Sequence, residues 1–430
     1  MVFQRFERQP RAYFGSGYAP EAVILGNTTS IEKDDSAEDL VAFRGAYKDA
    51  LVHSFSESIT LPRERIARIE VFQCVPVGSF EDPRSIDRLI REHAAQSLAP
   101  QKRALVLFVN GSDDSDEKIL KTIRRSQQAY PECTIIPLVH RWQHKDAFSV
   151  GMMRAIPTET VRALYQKSGG IGDPLIVSND ADTISMRRHY LKTLNAEVQP
   201  GTLAGDLSRF EFSGTNVLYD LNLSLDDIDR ELRNGMLDGT DPFGRRPFYP
   251  PGSNSAFRLS DYNGYHLGKN KGEDSELARD FLSRGKQIKF LPEIPVYTDA
   301  RRIVNAFNHG KFVHEAWQGW GTNGENGRTL ETLEARAYDR AEFEVYLNAY
   351  FTSRILGFFQ SRHNSCTGDE FTKKADAYVR ATLAALKPRL RSIGVPDLVL
   401  EPIALTGCSH EDVIEGAVKE HQFVRVHPVV

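Results

Sequence analysis

Three short stretches of the sequence place carboxylates or guanidinium groups in patterns that could do chemistry. The first is Asp180-Ala181-Asp182, which directly follows the apolar run Pro174–Asn179. Two carboxylates at i and i+2 past the end of a buried strand suit a hard divalent cation. Mg2+ and Mn2+ take oxygen ligands and commonly combine one or two carboxylates with phosphate oxygens. The plainer alternative is a carboxylate that caps the next turn. The second stretch is Gly272-Glu273-Asp274, opening an amphipathic helix. A carboxylate there is a candidate general base oriented by helix N-terminal amides, or else an ordinary cap. The third is Tyr297–Arg302, a strand end followed by Arg301 and Arg302, which suit a phosphate or a solvated helix start.

These residues need a scaffold, and the hydrophobic pattern supplies one. Apolar, β-branched runs at Ile69–Val77, Ala104–Val109, Thr134–Val139 and Pro174–Asp182 read as strands. Between them lie helical spacings: Ile86, Leu89, Ile90, Ala94 and Leu98; then Ile119, Leu120 and Ile123; then a helix from Thr158 to Gly169-Gly170. The strands are apolar throughout instead of alternating, so they are buried on both faces in a mainly parallel sheet covered by helices. Right-handed crossovers make this a Rossmann-type, doubly wound α/β layer, whose ligands bind at the carboxyl ends of the strands. The loops Asn110–Asp116 and Ser178–Thr183 both fall at that edge. Neither a G-x-G-x-x-G nor a G-x-x-x-x-G-K-[ST] follows any strand, which excludes a dinucleotide fingerprint and a Walker loop.

Around this core the pattern changes. An N-terminal stretch, residues 1–65, carries an apolar strand at Ala22–Leu25 and a helix near Asp39–Phe55. Beyond Phe212, FSGTNVLYDL reads as a strand, Leu225–Leu237 as a helix and Asp238–Asn254 as a Gly- and Pro-rich loop. Gly272–Gly285 reads as a short helix, Gln287–Thr298 as a strand, and a mostly helical tail carries helices at Leu330–Phe359 and Glu370–Ile393. In that tail, Trp317 and Trp320 lie among glycines and suit either a lid stacking on a sugar or core packing.

Composition closes off much of the remaining function space. Hydrophobic residues at 40% and charged residues at 26% describe an ordinary globular chain and not a disordered one. Lys plus Arg total 54 against 58 Asp plus Glu, a net charge of -4, so no electrostatic footprint points to nucleic acid or an anionic membrane. No apolar run approaches the roughly 18–20 residues of a membrane span, and the N-terminus lacks a signal-peptide core. Cys74, Cys133, Cys366 and Cys408 are too few and too scattered for a disulfide framework or a CxxC zinc site. A cytoplasmic protein with reduced thiols is expected.

Taken together, in this order and spacing, the three stretches resemble the family 2 glycosyltransferases of the GT-A fold. The resemblance covers about residues 66–305 and continues through a first-strand loop at Val75–Ser79, a second-strand loop at Val109–Asp114 and a glycine-and-arginine helix at Gly151–Arg154. It departs from the family's Pro-Ala-x-Asn-Glu and Asp-Asp-Gly-Ser patterns in the first two loops. The resemblance implies an inverting, metal-dependent transfer of a sugar from a UDP- or GDP-sugar to a soluble acceptor's hydroxyl. Asp182, assisted by Asp180, would hold Mn2+ or Mg2+ and through it the donor diphosphate. Pro76, Val77 and Asn110 would flank the nucleotide base, Arg154 would face the nucleotide or phosphates, and Asn179, Glu273, Arg301 and Arg302 would line the donor site. Asp274 would be the general base, and His309 or His314 would complete the metal site unless packed or at the surface.

The expected organisation is an N-terminal extension at 1–65, a catalytic domain at 66–305 and a mostly helical region at 306–430. Acceptor choice, or self-association into a homo-oligomer, would be encoded in the two outer segments. Two other readings stay open: a sugar-phosphate nucleotidyltransferase, for which no Gly-rich, Arg-containing opening loop is found, and a catalytically degenerate carbohydrate- or nucleotide-binding relative.

Overall fold

The computed structural model describes residues 23–25, 37–78, 81–111, 115–141, 149–206, 208–210, 217–234, 249–268, 272–298, 340–360, 368–404 and 422–429. The chain divides into two compact units. One comprises Met1–Arg209 and Tyr249–Thr298, the other Phe210–Phe248 and Asp299–Val430.

The first unit is built on an eight-stranded sheet. In chain order its strands are β1 (Val23–Leu25), β2 (Val71–Gly78), β3 (Arg103–Gly111), β4 (Thr134–Arg141), β5 (Leu175–Asn179), β7 (Thr202–Gly205), β9 (Asn254–Arg258) and β10 (Gln287–Phe290). Across the sheet the order is β1-β4-β3-β2-β5-β9-β7-β10. Every neighbouring pair is parallel except the two that β9 makes, which are antiparallel. A smaller sheet has the order β6-β11-β8, from β6 (Thr183–Met186), β8 (Ser208–Phe210) and β11 (Val296–Thr298). The mainly parallel, helix-covered α/β layer read from the apolar strands is the observed architecture.

Side-chain alternation along the strands divides the core in two. Phe72, Cys74, Val106, Phe108, Ile136 and Ile176 point to one face, where they pack with α1 (Ala37–Ser58), α5 (Val150–Lys167) and α8 (Glu273–Ser283) through Phe55, Ile156, Leu164 and Phe281. Val71, Val75, Leu105, Leu107, Ile135 and Val177 point to the other, against α3 (Pro83–Ala94), α4 (Ser115–Ala129) and α6 (Tyr190–Glu197). A single residue step reverses a side chain's face, so strands buried on both sides must be apolar at every position. Each fully buried Val, Leu, Ile or Phe contributes about 1.5–3 kcal/mol. Truncating Phe108 to Ala, between two such layers, would cost about 3–5 kcal/mol.

The helix that matters most for the edge, α5, starts eight residues before the expected Thr158. Ser149 is its cap: Oγ accepts the Met152 N–H at 3.1 Å. The same hydroxyl donates to the Leu267 carbonyl. Pro157 inside the helix removes one donor and disguises its first two turns in the sequence.

Other elements depart from expectation for identifiable reasons. Val217–Leu221 opens a helix, α7 (Val217–Asn234), and not a strand, because Leu221, Leu225 and Ile228 share one helical face. The single strand expected at Gln287–Thr298 is interrupted between β10 and β11, where Pro292 and Pro295 each remove an amide donor. β9 begins at Asn254, where a loop was expected to end. Residues 1–65 are not merely an extension, since Tyr47, Leu51 and Phe55 of α1 lie in the core with α5. A short helix, α2 (Arg63–Ala67), connects α1 to β2.

The second unit has a core of its own. Leu221, Leu225 and Ile228 of α7 pack with Phe343, Leu347, Phe351 and Ile355 of α9 (Arg340–Gln360) and with Tyr378, Val379 and Leu386 of α10 (Gly368–Leu386). That shared face is why residues 210–248 go with the C-terminal region. An antiparallel pair, β12 (Leu398–Pro402) with β13 (Val424–Pro428), closes the same core and was not expected in a helical tail. No helix among the described residues is long and apolar enough to cross a membrane.

Candidate functional site

The carboxyl edge of the sheet gathers four separate pieces of chain. β5 delivers Ser178 and Asn179 there and hands on to Asp180–Asp182. β9 runs the opposite way, so its start lies beside the end of β5, with Asn254 opposite Asn179. The turn leading into β9 brings Gly252, α5 contributes Arg154 from its second turn, and α8 begins with Glu273 and Asp274.

Arg154 is the hub. Its guanidinium is almost wholly buried and donates four hydrogen bonds: Nη2 to Asp180 Oδ1 at 2.6 Å, Nε to Glu273 Oε1 at 3.0 Å, and Nη1 to both Ser178 Oγ at 2.9 Å and the Gly252 carbonyl at 2.7 Å. Burial alone would lower this guanidinium's pKa; the charges of Asp180 and Glu273 outweigh that and raise it. Glu273 is also buried, which pushes its carboxyl above the ordinary range, with Arg154 opposing the shift. Breaking a buried charge cluster by deleting one partner typically costs about 3–5 kcal/mol.

Asp274 is held by backbone donors. Oδ2 accepts the Gly252 N–H at 3.1 Å and Oδ1 the Ser275 N–H at 2.7 Å. Asp274 is not the helix cap: that position is Gly272, in the left-handed conformation at φ 77°, with no side-chain cap bond. Acidic residues Glu273, Asp274 and Glu276 fill the first turn, where the helix dipole favours them. Gly252 thus serves both ends of the site, its carbonyl facing Arg154 and Ser178 and its N–H facing Asp274. A Cβ on Gly252 would lie 2.5 Å from the guanidinium carbon of Arg154, so only glycine fits.

The structure therefore brings Asp180, Arg154, Glu273 and Asp274 into one linked cluster. Asp182 is buried close by in the same loop. Asn110 is the penultimate residue of β3, beside α5, its Nδ2 4.0 Å from Met153 Sδ, and its buried Oδ1 has no hydrogen-bond partner among the described residues. Pro76 is partly exposed near the end of β2, whereas Val77 is fully buried against α3 and α4. Asn179 is buried too: it accepts from Gln73 at 2.8 Å and donates to Tyr190 at 3.2 Å and to the Ser253 carbonyl at 2.9 Å. Arg301, Arg302, His309, His314, Trp317 and Trp320 lie outside the described residues.

Sequence reasoning missed Ser178, Gly252 and the network beneath the Asp180–Asp182 loop. There, His93 Nδ1 meets Gln73 Oε1 at 2.7 Å, and Tyr190 donates to Asn254 at 2.8 Å. Burial, reinforced by Arg103, depresses His93 to about 3, so the imidazole is neutral. The available signal was a polar residue, Gln73, inside an otherwise apolar strand.

Among the described residues no group of three or more His, Cys, Asp or Glu side chains forms a protein-only metal cage. Asp180 and Asp182 could hold a hard cation only as two ligands among others, with phosphate oxygens completing its shell in the usual habit of Mg2+ and Mn2+. A cleft of about 610 Å³ lined by Arg68, Lys102, Tyr165, Asn195 and Arg258 lies at the opposite, amino edge. Two of its charged side chains are paired within the fold, Lys102 with Glu70 at 2.6 Å and Arg258 with Asn195 and nearby carbonyls.

Comparison with known proteins gives distant likenesses only. No family model matches the chain, and no curated protein does. Among solved structures, a mannosyltransferase from Pyrobaculum calidifontis in complex with GDP-Man and Mn2+ overlaps at a TM-score of 0.39 with 14% identity, covering 83% of this chain and 88% of that one. TarS of S. aureus overlaps at 0.34 with 12% identity over 75% of this chain, which spans 51% of that protein. A TarS fragment, residues 1–349, in complex with UDP gives 0.34 and 11%, covering 76% and 83%. Overlaps this partial leave the functional reading to rest on the chain's own residues.

Proposed function

We propose that the protein transfers a sugar from a nucleotide-sugar to an acceptor hydroxyl, with a divalent cation at Asp180 and Asp182 and Asp274 as the base. The observation that carries this reading is the convergence just described. Asp180 and Asp274, ninety-four positions apart by their numbers, are joined through Arg154 and Gly252 at the ligand-binding edge of a parallel sheet.

Charge supports the cation. Among the described residues, the Arg154 guanidinium is shared by Asp180 and Glu273, with Asp182 and Asp274 in the same loop and the same helical turn as these two. Four of the guanidinium's five N–H donors are committed, so the described carboxylates leave a diphosphate's charge to be offset by a cation. When bound, a divalent cation would offset charge developing on the leaving diphosphate. Asn110, with its buried unpartnered carbonyl oxygen, is suited to accept an N–H from the nucleotide base.

The chain's own contribution to the chemistry is to hold and move one proton. Two backbone N–H groups fix Asp274, leaving its remaining lone pairs to accept the acceptor's hydroxyl proton. The freed oxygen attacks the anomeric carbon, the bond to the diphosphate oxygen breaks, and nucleoside diphosphate leaves. A single displacement inverts that centre. Among the described residues of the cluster, Glu273 is committed to Arg154 and Asp180 and Asp182 are given to the cation, which leaves Asp274 as the base and assigns no carboxylate as a nucleophile.

The test is product release from UDP- and GDP-sugars with and without Mn2+. Nucleoside diphosphate released only with metal supports the reading. Pyrophosphate would instead identify a nucleotidyltransferase, and neither product a binding protein without turnover.

A further inference from the structure

We infer that Arg154 is a positioning residue that locks the metal-side carboxylate and the base into one unit, and that it does not contact the donor. The inference rests on the reading above and deepens it. A phosphate-binding arginine needs an accessible face with donors to spare. Arg154 has little of either: it is 6% exposed and spends four of its five N–H donors on four partners from three other segments. Those partners belong to the donor loop (Ser178 and Asp180), the turn before β9 (Gly252) and the start of α8 (Glu273).

Each partner in turn fixes something. Gly252 can present its N–H to Asp274 because its carbonyl is held from below by Arg154 and Ser178. Glu273 sets the register of the first turn of α8, and so the direction of the next side chain, Asp274. Asp180 is oriented by the bond that its Oδ1 accepts from Arg154. Close packing makes room for this: a Cβ on Gly151 would lie 2.1 Å from the His266 carbonyl, so glycine there lets the start of α5 approach the chain that leads into α8.

A lysine at 154 keeps the charge but not the planar fork, and its single nitrogen cannot reach both Asp180 and Glu273 while holding the Gly252 carbonyl. Two measurements on Arg154→Lys test the inference. Amide hydrogen exchange needs no activity: the amides of residues 252–254 and 272–276 should exchange at least tenfold faster than in the parent, with protection in β2 and β3 unchanged. Exchange that stays at the parent rate in both segments overturns the tether, whether or not the protein transfers sugar.

The second measurement is kinetic. At saturating donor, Arg154→Lys should lower kcat at least tenfold, and combining it with Asp274→Asn should cost clearly less than the product of the two single effects, because a displaced base has less left to lose. Multiplicative losses would overturn the link to the base. So would an Arg154→Lys defect confined to donor KM, which is the signature of a direct phosphate contact. If the exchange result holds while the parent releases no nucleoside diphosphate, the tether stands and the glycosyltransferase reading falls.

Discussion

Asp274→Asn separates the base from a merely structural carboxylate, because the structure specifies what the side chain does when no substrate is present. Asp274 accepts two backbone N–H groups, from Gly252 at 3.1 Å and Ser275 at 2.7 Å. Asparagine has one carbonyl oxygen, so it can keep one of these bonds while its NH2 faces the other donor. Losing a hydrogen bond to a charged acceptor costs about 1.5–3 kcal/mol, reduced here because the side chain is partly exposed. Removing a negative charge from the first turn of α8 adds about 0.3–1 kcal/mol. A loss of about 2–3 kcal/mol corresponds to a fall in Tm of roughly 5–10 °C for a unit of this size.

If Asp274 is the base, the rate should fall about 10²–10⁴-fold in addition. The assay is initial-rate release of nucleoside diphosphate, run at least 15 °C below the variant's Tm, with Mn2+-dependent nucleotide binding measured on the same sample. Binding should be within a few-fold of the parent. The cap reading expects near-silence in both stability and rate, because Asn caps as well as Asp; with Gly272 as the actual cap, that expectation no longer follows from the structure. A variant that is destabilised as calculated, binds nucleotide and transfers sugar at the parent rate would refute the assignment of the base.

Two further perturbations probe the edge and the core beneath it. Asp182→Ala should abolish Mn2+-dependent stabilisation by nucleoside diphosphate in a thermal-shift assay while the protein stays folded; nucleotide binding equal to the parent's in Mn2+ would remove Asp182 from the metal site. Stability should fall with acidification, because His93 and His140 are buried neutral, at about 3 and about 4 against 6.5 when exposed. Their folded values are depressed, so the loss begins as pH drops through 6.5 and grows towards those values. It reaches about 2 kcal/mol per histidine at pH 5, and denaturant titrations at pH 7.5 and 5 on the parent and His93→Gln should show roughly half of it removed by the variant.

The sheet was legible because burial on both faces forces apolar residues at every position, and the short length and β-branched content of these runs separate them from a buried helix. The Asp180–Asp182 loop was legible for the same reason, since acidic residues end an apolar run abruptly. What stayed hidden depends on partners remote in sequence. Arg154 was singled out by the resemblance, but as a residue facing the nucleotide or phosphates; its ties to Asp180, Glu273 and Gly252 show only when those remote segments are placed around it. β9 is five residues long with the polar start Asn254-Ser255, so its periodicity is too short to distinguish from a loop. Helix α7 was masked by an aromatic and β-branched beginning whose true repeat shows only when Leu225 and Ile228 are counted with Leu221.

The reversed strand is the feature on which the site's assembly turns, and one glycine tests it. If β9 ran parallel to its neighbours, its start would lie at the amino edge and Gly252 could not reach Asp180. Because it runs antiparallel between β5 and β7, the turn before it is delivered to the carboxyl edge. The last residue of β7, Gly205, lies against that turn so closely that an added Cβ would sit 2.2 Å from the Asn254 carbonyl oxygen and 2.7 Å from Pro250 Cβ. Both are parts of the chain that a rotamer change cannot move aside. Gly205→Ala should therefore displace residues 250–254, at an overpacking cost of about 1–3 kcal/mol. Through Gly252 the displacement should reach both Arg154 and Asp274, lowering kcat although residue 205 makes no contact with either. The check pairs Tm with kcat for Gly205→Ala and for Gly170→Ala, whose added Cβ would meet the Tyr165 ring at 2.4 Å on a turn that follows α5. Equal losses of stability with a fall in kcat only at 205 support assembly through the β9 turn. A Gly205→Ala variant that is destabilised to the same extent yet turns over at the parent rate refutes it.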